Sequence, residues 1–354
     1  MGRAIVFGCA GPVLGDEERA FFRDVDPYGF ILFARNIETR DQVRALVDDL
    51  RRCVTHPHAP VLIDQEGGRV RRMRPPEWRD YLAPGVFTDA YARRPEQALE
   101  AFALSAELMA ADLFEIGIDV DCVPMLDVRQ PDSDRQVIGD RALGDDAETV
   151  IRLAEAMVAG IERAGVCGVI KHMPGHGRSL VDSHADLPRI DASAEALRAV
   201  DYLPFRHFAG RVPYGMTGHL LYTALDPDRP STLSPRVVGE VIRGEIGFDG
   251  LLFTDDISMG ALSEARGGGG SIGDRSLRSI EAGCDVLLHC NGDMTEMRAV
   301  AAAVGPMGPD AVRRAAAADA HRSALASAVS STDTAAGRAD AARRLEALLK
   351  DLRS

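Results

Sequence analysis

Three short segments concentrate ionisable side chains. The densest is Lys171-His172-Met173-Pro174-Gly175-His176-Gly177, followed closely by Asp182-Ser183-His184. Three of the nine histidines, a lysine and an aspartate fall within fourteen residues, too many for chance scatter. Pro174, Gly175 and Gly177 force a turn, so His172, His176 and His184 do not share one helix face. Three chemistries are open to such a segment: a polar loop with incidental histidines, a metal site, or an acid/base loop. In the last, Asp182 supports the imidazole of His184. An aspartate beside a histidine fixes its tautomer and favours its protonated form, which suits a group that must give and then take a proton near neutral pH.

The second segment is Thr254-Asp255-Asp256-Ile257-Ser258-Met259, two adjacent carboxylates closing an apolar run. Neighbours at an extended strand end point to opposite sides, so one acid can enter a pocket while the other turns away to cap or brace. A loop acid followed by a helix N-cap is the plainer alternative. The third is Asp64-Gln65-Glu66-Gly67-Gly68-Arg69, again directly after an apolar run. Further polar residues follow other runs: His219 after Tyr214–Met216, and His289, Cys290 and Asn291 at the end of Val286–Leu288. A charge placed directly after a buried strand is costly unless paired or used. Several in phase on separate strands predict one polar pocket.

Those runs must be the elements that position the pocket. They are Ala4–Cys9, Phe30–Phe33, Val61–Ile63, Val120–Val123, Val169–Ile170, Tyr214–Met216, Leu251–Phe253 and Val286–Leu288. Short apolar runs bounded by Gly, Pro or Asp read as buried parallel strands. Helical patterns lie between them at Gln42–Val54, Leu99–Ile116, Ala147–Ala164, Pro235–Ile246 and Leu277–Ala282, with Gly117 as a helix stop. The alternation predicts an α/β fold, a (β/α)8 TIM-type barrel, in which the C-terminal strand ends converge on one mouth. A doubly wound sheet is the alternative, but no G-x-G-x-x-G turn follows the first strand. The expected organisation is a single domain over 1–354, with a core to about 308 and a helical extension over 309–354, broken near Ser330–Gly337. The four glycines Gly267–Gly270 lack the Lys-Ser/Thr of a phosphate loop and read as a flexible surface loop.

The bulk composition is 46% apolar and 27% charged, which is that of a soluble globular protein. The formal net charge of −13 has the wrong sign for nucleic acid or an anionic membrane surface. None of the six cysteines forms a C-x-x-C pair and most sit in apolar runs, as buried reduced thiols do. No run is long enough to span a membrane, and the opening Met1-Gly2-Arg3 with its short apolar run reads as the first strand rather than a leader. A cytoplasmic protein is expected.

At these same segments the chain resembles glycoside hydrolase family 3, in particular its bacterial single-domain β-N-acetylglucosaminidases. Lys171–Gly177 with Asp182-x-His184 is similar to a K-H-F-P-G-H-G…D-x-H signature. Asp64–Arg69 resembles D-Q-E-G-G-R, Thr254–Met259 resembles S-D-D-x-S-M, and Ile138-Gly139-Asp140-Arg141 resembles I-G-E-R. Met173, Asp140 and Thr254 depart from those patterns without removing an ionisable group that the chemistry needs. The resemblance implies a retaining mechanism through a covalent glycosyl-enzyme. Asp255 would be the nucleophile, His184 the general acid/base and Asp182 its orienting partner. Asp64, Arg72, Arg141, Lys171 and His172 would hold the terminal sugar. It implies a carbohydrate substrate, an N-acetylglucosamine-bearing muropeptide from cell-wall recycling. No metal, no cofactor, no nucleic-acid or membrane partner, and a monomer are expected. A β-glucosidase of the same family, a non-catalytic sugar-binding barrel and a metal-dependent amidohydrolase barrel are the rivals. The last would use His56-Pro57-His58 with Lys171, His172, His219 and Asp255.

Overall fold

Each apolar run is buried on both faces, so the strands they form have no polar side to offer water at an open edge. Closure removes the edge. The computed structural model describes residues 2–133, 137–180, 186–263, 270–329 and 335–353. Its strands are β1 (Arg3–Phe7), β2 (Pro27–Leu32), β3 (Val61–Ile63), β4 (Val120–Asp121), β5 (Cys167–Met173), β6 (Arg189–Ile190), β7 (Tyr214–Thr217), β8 (Leu221–Tyr222), β9 (Leu251–Asp256) and β10 (Val286–His289). Eight of them close into a parallel barrel in the order β1-β10-β9-β7-β5-β4-β3-β2, while β6 and β8 pair outside it. Ile5 lies beside Leu287, Phe30 beside Val61 and Tyr214 beside Leu251. The expected TIM-type barrel is the fold observed.

The helices form where apolar residues recur at three-to-four spacing. They begin with α1 (Asp16–Val25), α2 (Arg40–Arg52), α3 (Pro84–Tyr91), α4 (Pro95–Glu115) and α5 (Ala147–Arg163). In α2, Val43, Leu46, Val47 and Leu50 are buried against the barrel and Thr39 caps the first turn by accepting from Gln42 N. Past α4, Gly117 turns the chain with a φ of 84°, the stop expected of it. The helix expected at Leu277–Ala282 is only the second half of Ile272–Glu281, because Gly273 and Asp274 interrupt the apolar pattern of its first turn. Pro235–Ile246 is a π-helical segment, Val237–Glu245. Residues 267–269 of the Gly-rich loop and 330–334 of the helical break lie outside the described residues.

Two strands run further than their apolar cores. Lys171, His172 and Met173 belong to β5, and Thr254, Asp255 and Asp256 to β9, rather than to loops after them. Ladder hydrogen bonds are made by the backbone, so a strand continues through polar residues wherever their side chains find partners.

The opposite pole is closed by the extension. The helix Pro309–Ala328 packs on β5, β9 and α5, and Ala335–Arg353 packs on α4. Arg322, 5% exposed, donates Nη1 to Asp119 and Nη2 to Asp319 at 2.9 Å and to the His58 carbonyl at 2.7 Å. Tyr28 Oη donates to Asp319 as well, at 3.2 Å. Arg322→Ala leaves carboxylates facing a buried gap and is expected to cost about 3–5 kcal/mol in chemical denaturation. A loss under about 1 kcal/mol would mean that Arg51, 3.1 Å from Asp119, satisfies that acid alone.

Candidate active site

The C-terminal strand ends carry a buried ion network. Lys171, on β5, is 2% exposed and places Nζ 3.0 Å from Asp64 Oδ1 and 2.7 Å from Glu66 Oε1. Arg141 grips Glu66 with Nε and Nη2, each at 2.8 Å. Arg72 Nη2 reaches Asp64 Oδ2 at 3.1 Å. Gly67 and Gly68 make the turn between these acids and Arg72, with φ of 90° and 59°; a Cβ on Gly67 would meet the Leu82 carbonyl at 2.3 Å. Gln65 then ties the returning chain down, its Oε1 accepting from Arg72 N and Met73 N at 2.8 and 3.1 Å.

Electrostatics follow from that packing. Burial raises the Asp64 carboxyl, but Lys171 and then Arg72 overcome it and hold it at about 2. Burial is likewise outweighed at Glu66 by Arg141 and Lys171, which hold its carboxyl well below the usual range. Asp121, at the end of β4, has no such partner. Burial pushes its carboxyl above the usual range, and it accepts from Gln65 N at 2.9 Å beneath the network.

A second constellation lies on the β5 turn. The chain after β4 runs on beside β5: Lys171 N donates to the Pro124 carbonyl at 3.2 Å and Leu126 N to the Lys171 carbonyl at 2.7 Å. This carries Asp127, fully buried, to His172, whose Nδ1 lies 2.8 Å from Asp127 Oδ2. Asp127 Oδ1 accepts from the backbone N–H groups of His172 and His176 at 3.3 and 2.6 Å. His176 is buried, and burial and then His172 push its pKa down to about 4, so it is neutral at pH 7. Gly177 follows, where a Cβ would lie 2.0 Å from the Val128 carbonyl. Asp182 and His184, farther along the sequence, lie outside the described residues.

On β9 the two acids part company. Asp256 accepts from Ser258 Oγ at 2.7 Å, from Ser258 N at 3.1 Å and from Cys290 N at 3.2 Å, bracing the strand end. Asp255 is half-buried, and one of its oxygens accepts from Asp256 N at 2.8 Å. Its charge acts on His176, His219, Cys122 and Cys290, which belong to four different strand ends.

The structure therefore brings Asp64, Arg72, Arg141, Lys171 and His172 to the rim on which Asp255 stands. Glu66 and Asp127 were not singled out from the sequence. Glu66 sits inside a motif whose first acid drew the attention. Asp127 does end an apolar run, Val123-Pro124-Met125-Leu126, but Pro124 makes that run read as a loop. The residues of the metal-dependent alternative are dispersed. His56 lies at the other pole, stacked on Tyr28 and 3.1 Å from Asp319, and His219 spends its ring nitrogens on Thr232 Oγ1 and the Asp256 carbonyl at 2.8 and 3.0 Å. Among the described residues no group of three or more His, Cys, Asp or Glu is placed to hold a metal ion. Among them, too, no helix is long and apolar enough to cross a membrane.

Comparison with known proteins gives a consistent outcome. Residues 15–316 match the glycosyl hydrolase family 3 N terminal domain. The chain is 42% identical over 288 residues to a β-hexosaminidase of Alkalilimnicola ehrlichii, covering 81% of this chain and 80% of that protein. It is 38% identical over 289 residues to a β-hexosaminidase of Tolumonas auensis, covering 81% of each. Among solved structures it is similar to native NagZ from Neisseria gonorrhoeae, with a TM-score of 0.83 at 28% identity over 100% of this chain and 99% of that one. A β-N-acetylhexosaminidase of Beutenbergia cavernae gives a TM-score of 0.70 at 28% identity, over 98% and 96% of the two chains.

The ion network makes stability depend on acid. Asp64 and Glu66 titrate lower in the fold than their ordinary 3.8 and 4.5, so the unfolded chain takes up protons first as pH falls. The stability they contribute is complete above those ordinary values; the share from Asp64 is lost as pH drops through about 2 and that from Glu66 at still lower pH. Glu66→Gln is expected to lower stability at pH 7 by about 3–5 kcal/mol and to flatten the acid dependence over this window. Denaturant titrations at stepped pH measure both, and parallel pH profiles for the two proteins would refute the assignment.

Proposed function

The chain belongs to glycosyl hydrolase family 3 and is a β-hexosaminidase, and from that premise we propose a retaining exo-β-N-acetylglucosaminidase acting on peptidoglycan-derived muropeptides in the cytoplasm. Asp255 attacks the anomeric carbon while His184, oriented by Asp182, gives a proton to the departing oxygen. The bond to the leaving sugar breaks and a glycosyl ester of Asp255 forms. His184 then takes a proton from water, which attacks the same carbon and frees Asp255. The enzyme works as a monomer and needs no metal.

The observation that carries this reading is the placement of Asp255 on the same rim as the Lys171–Asp64–Glu66–Arg141 network. Such a rim suits a polyhydroxylated ring. Lys171 has three N–H donors, and two are directed at Asp64 and Glu66, leaving one for a ligand. Asp64, kept anionic, accepts from hydroxyls. Arg72 and Arg141 supply donors around it, each fixed by a carboxylate. Because these groups are set before substrate arrives, little reorganisation is required on binding. His184 follows Gly177 by seven residues in the sequence, and a proton donor delivered only once the sugar is seated limits entry of water.

A panel of aryl β-glycosides differing at C2 and in leaving group, assayed with and without chelator, tests the proposal. Asp255→Ala is expected to abolish turnover of aryl N-acetylglucosaminides. His184→Ala should lose about 10²–10⁴-fold on poor leaving groups and much less on activated ones. Small, equal losses for both variants would reject the two roles, preference for the C2-hydroxyl sugar would reassign the enzyme to glucosides, and inactivation by chelator would reinstate a metal.

A further inference from the structure

The geometry points to Asp127 as a positioning residue: it fixes the ring tautomer of His172, so that His172 meets the sugar as a hydrogen-bond acceptor through Nε2. The inference depends on the proposed function in one respect, that His172 contacts the sugar.

Asp127 has no freedom to play another part. It is 0% exposed, and its two oxygens are committed to different partners. Oδ1 accepts two backbone donors, His172 N at 3.3 Å and His176 N at 2.6 Å. Among the described residues Oδ2 meets the ring alone, with Nδ1 at 2.8 Å. An ionised carboxylate accepts and cannot donate. Burial works against ionisation, but His172 and the backbone donor of His176 outweigh it and keep the carboxyl below its usual range. Nδ1 must then carry the hydrogen, and in the neutral ring Nε2 is a bare lone pair. Among the described residues Nε2 has no hydrogen-bond partner, and the His172 side chain keeps 10% of its surface open. The one nitrogen left for a ligand is thus the acceptor.

This assigns a division of labour on the rim. Lys171, Arg72 and Arg141 can only donate to the sugar, whereas His172 takes a hydroxyl proton donor. Neighbouring residues in β5 therefore bind in opposite senses: Lys171 is set by Asp64 and Glu66, His172 by Asp127. A hydroxyl can donate to His172, which neither an ether nor a fluorine can do.

Asp127→Asn gives a decisive test because the two backbone donors dictate how the amide must sit. Its oxygen has to remain at the Oδ1 place to accept from His172 N and His176 N. Its NH2 then falls at the Oδ2 place and donates to Nδ1, which moves the ring hydrogen to Nε2. Nitrogen-15 correlation spectra of the intact enzyme, recorded above the pH at which the His172 signal stops titrating, read the tautomer directly. The wild type should show a protonated Nδ1 and a bare Nε2, and the variant the reverse. A wild-type ring protonated on Nε2 overturns the inference by itself, even if the variant fails to fold.

Kinetics separate the inference from the functional reading beneath it. Aryl N-acetylglucosaminides in which one hydroxyl at a time is replaced by fluorine keep an acceptor and lose the donor. At one position the wild type should lose kcat/KM. The variant should be weaker by about 10–100-fold on the parent substrate, mostly in KM, with no further penalty at that position because the interaction is already gone. If no position matters to the wild type while the tautomers are as stated, His172 does not contact the sugar and the functional reading fails at this residue. If the same fluorine penalty persists in the variant, the positioning role of Asp127 is overturned and that reading stands.

Discussion

One buried cation organises the working end of this barrel. Lys171 lies between Asp64 and Glu66 with almost no contact with water, and its charge helps to keep both buried acids ionised. Arg141 and Arg72 complete the circuit by gripping the far sides of the two carboxylates. Apolar side chains of the same volume can often replace a buried ion network without loss of stability. What they would not offer is a set of donors and acceptors already fixed in direction before a ligand arrives. The turn at Gly67 and Gly68, the Gln65 clamp and the short helical turn Gly139–Arg141 all serve to close that circuit.

The two poles handle buried charge differently. At the bottom, Arg322 of the extension is surrounded by Asp119, Asp319 and a carbonyl, and the helix that carries it seals the cluster. At the mouth, Lys171 and His172 each keep a polar valence to spare among the described residues. A network sealed under a helix serves stability; one with valences directed at the strand-end rim serves recognition. The chain achieves both with the same residue types.

Much of the site was legible because a buried strand ending in a charge is a costly arrangement. Asp64, Lys171, His172 and Asp255 each follow an uninterrupted apolar run, and all four are found at one rim. Glu66 and Asp127 escaped notice for separate reasons. Glu66 looks like one more polar residue in a turn until Arg141, far along the chain, reaches it. Asp127 follows a proline, which ends the run on paper, yet the chain keeps pairing with β5 through Pro124, Leu126 and Lys171. Helix limits were misread where glycine or aspartate broke the pattern, as at Gly273 and Asp274, since a helix held by packing tolerates poor formers in its first turn.

By itself the sequence determined the alternation of strands and helices, the barrel, and the rim on which the chemistry-bearing side chains gather. Those are consequences of local periodicity and of the rule that consecutive parallel strands all end on the same side. Only the tertiary structure decided which charge meets which: that Lys171 serves two acids, that Arg141 grips Glu66, and that Asp127 holds His172 by one nitrogen. Such pairings join residues far apart in sequence, and their energies depend on distances of a few ångströms and on burial. Neither quantity exists until the barrel has closed.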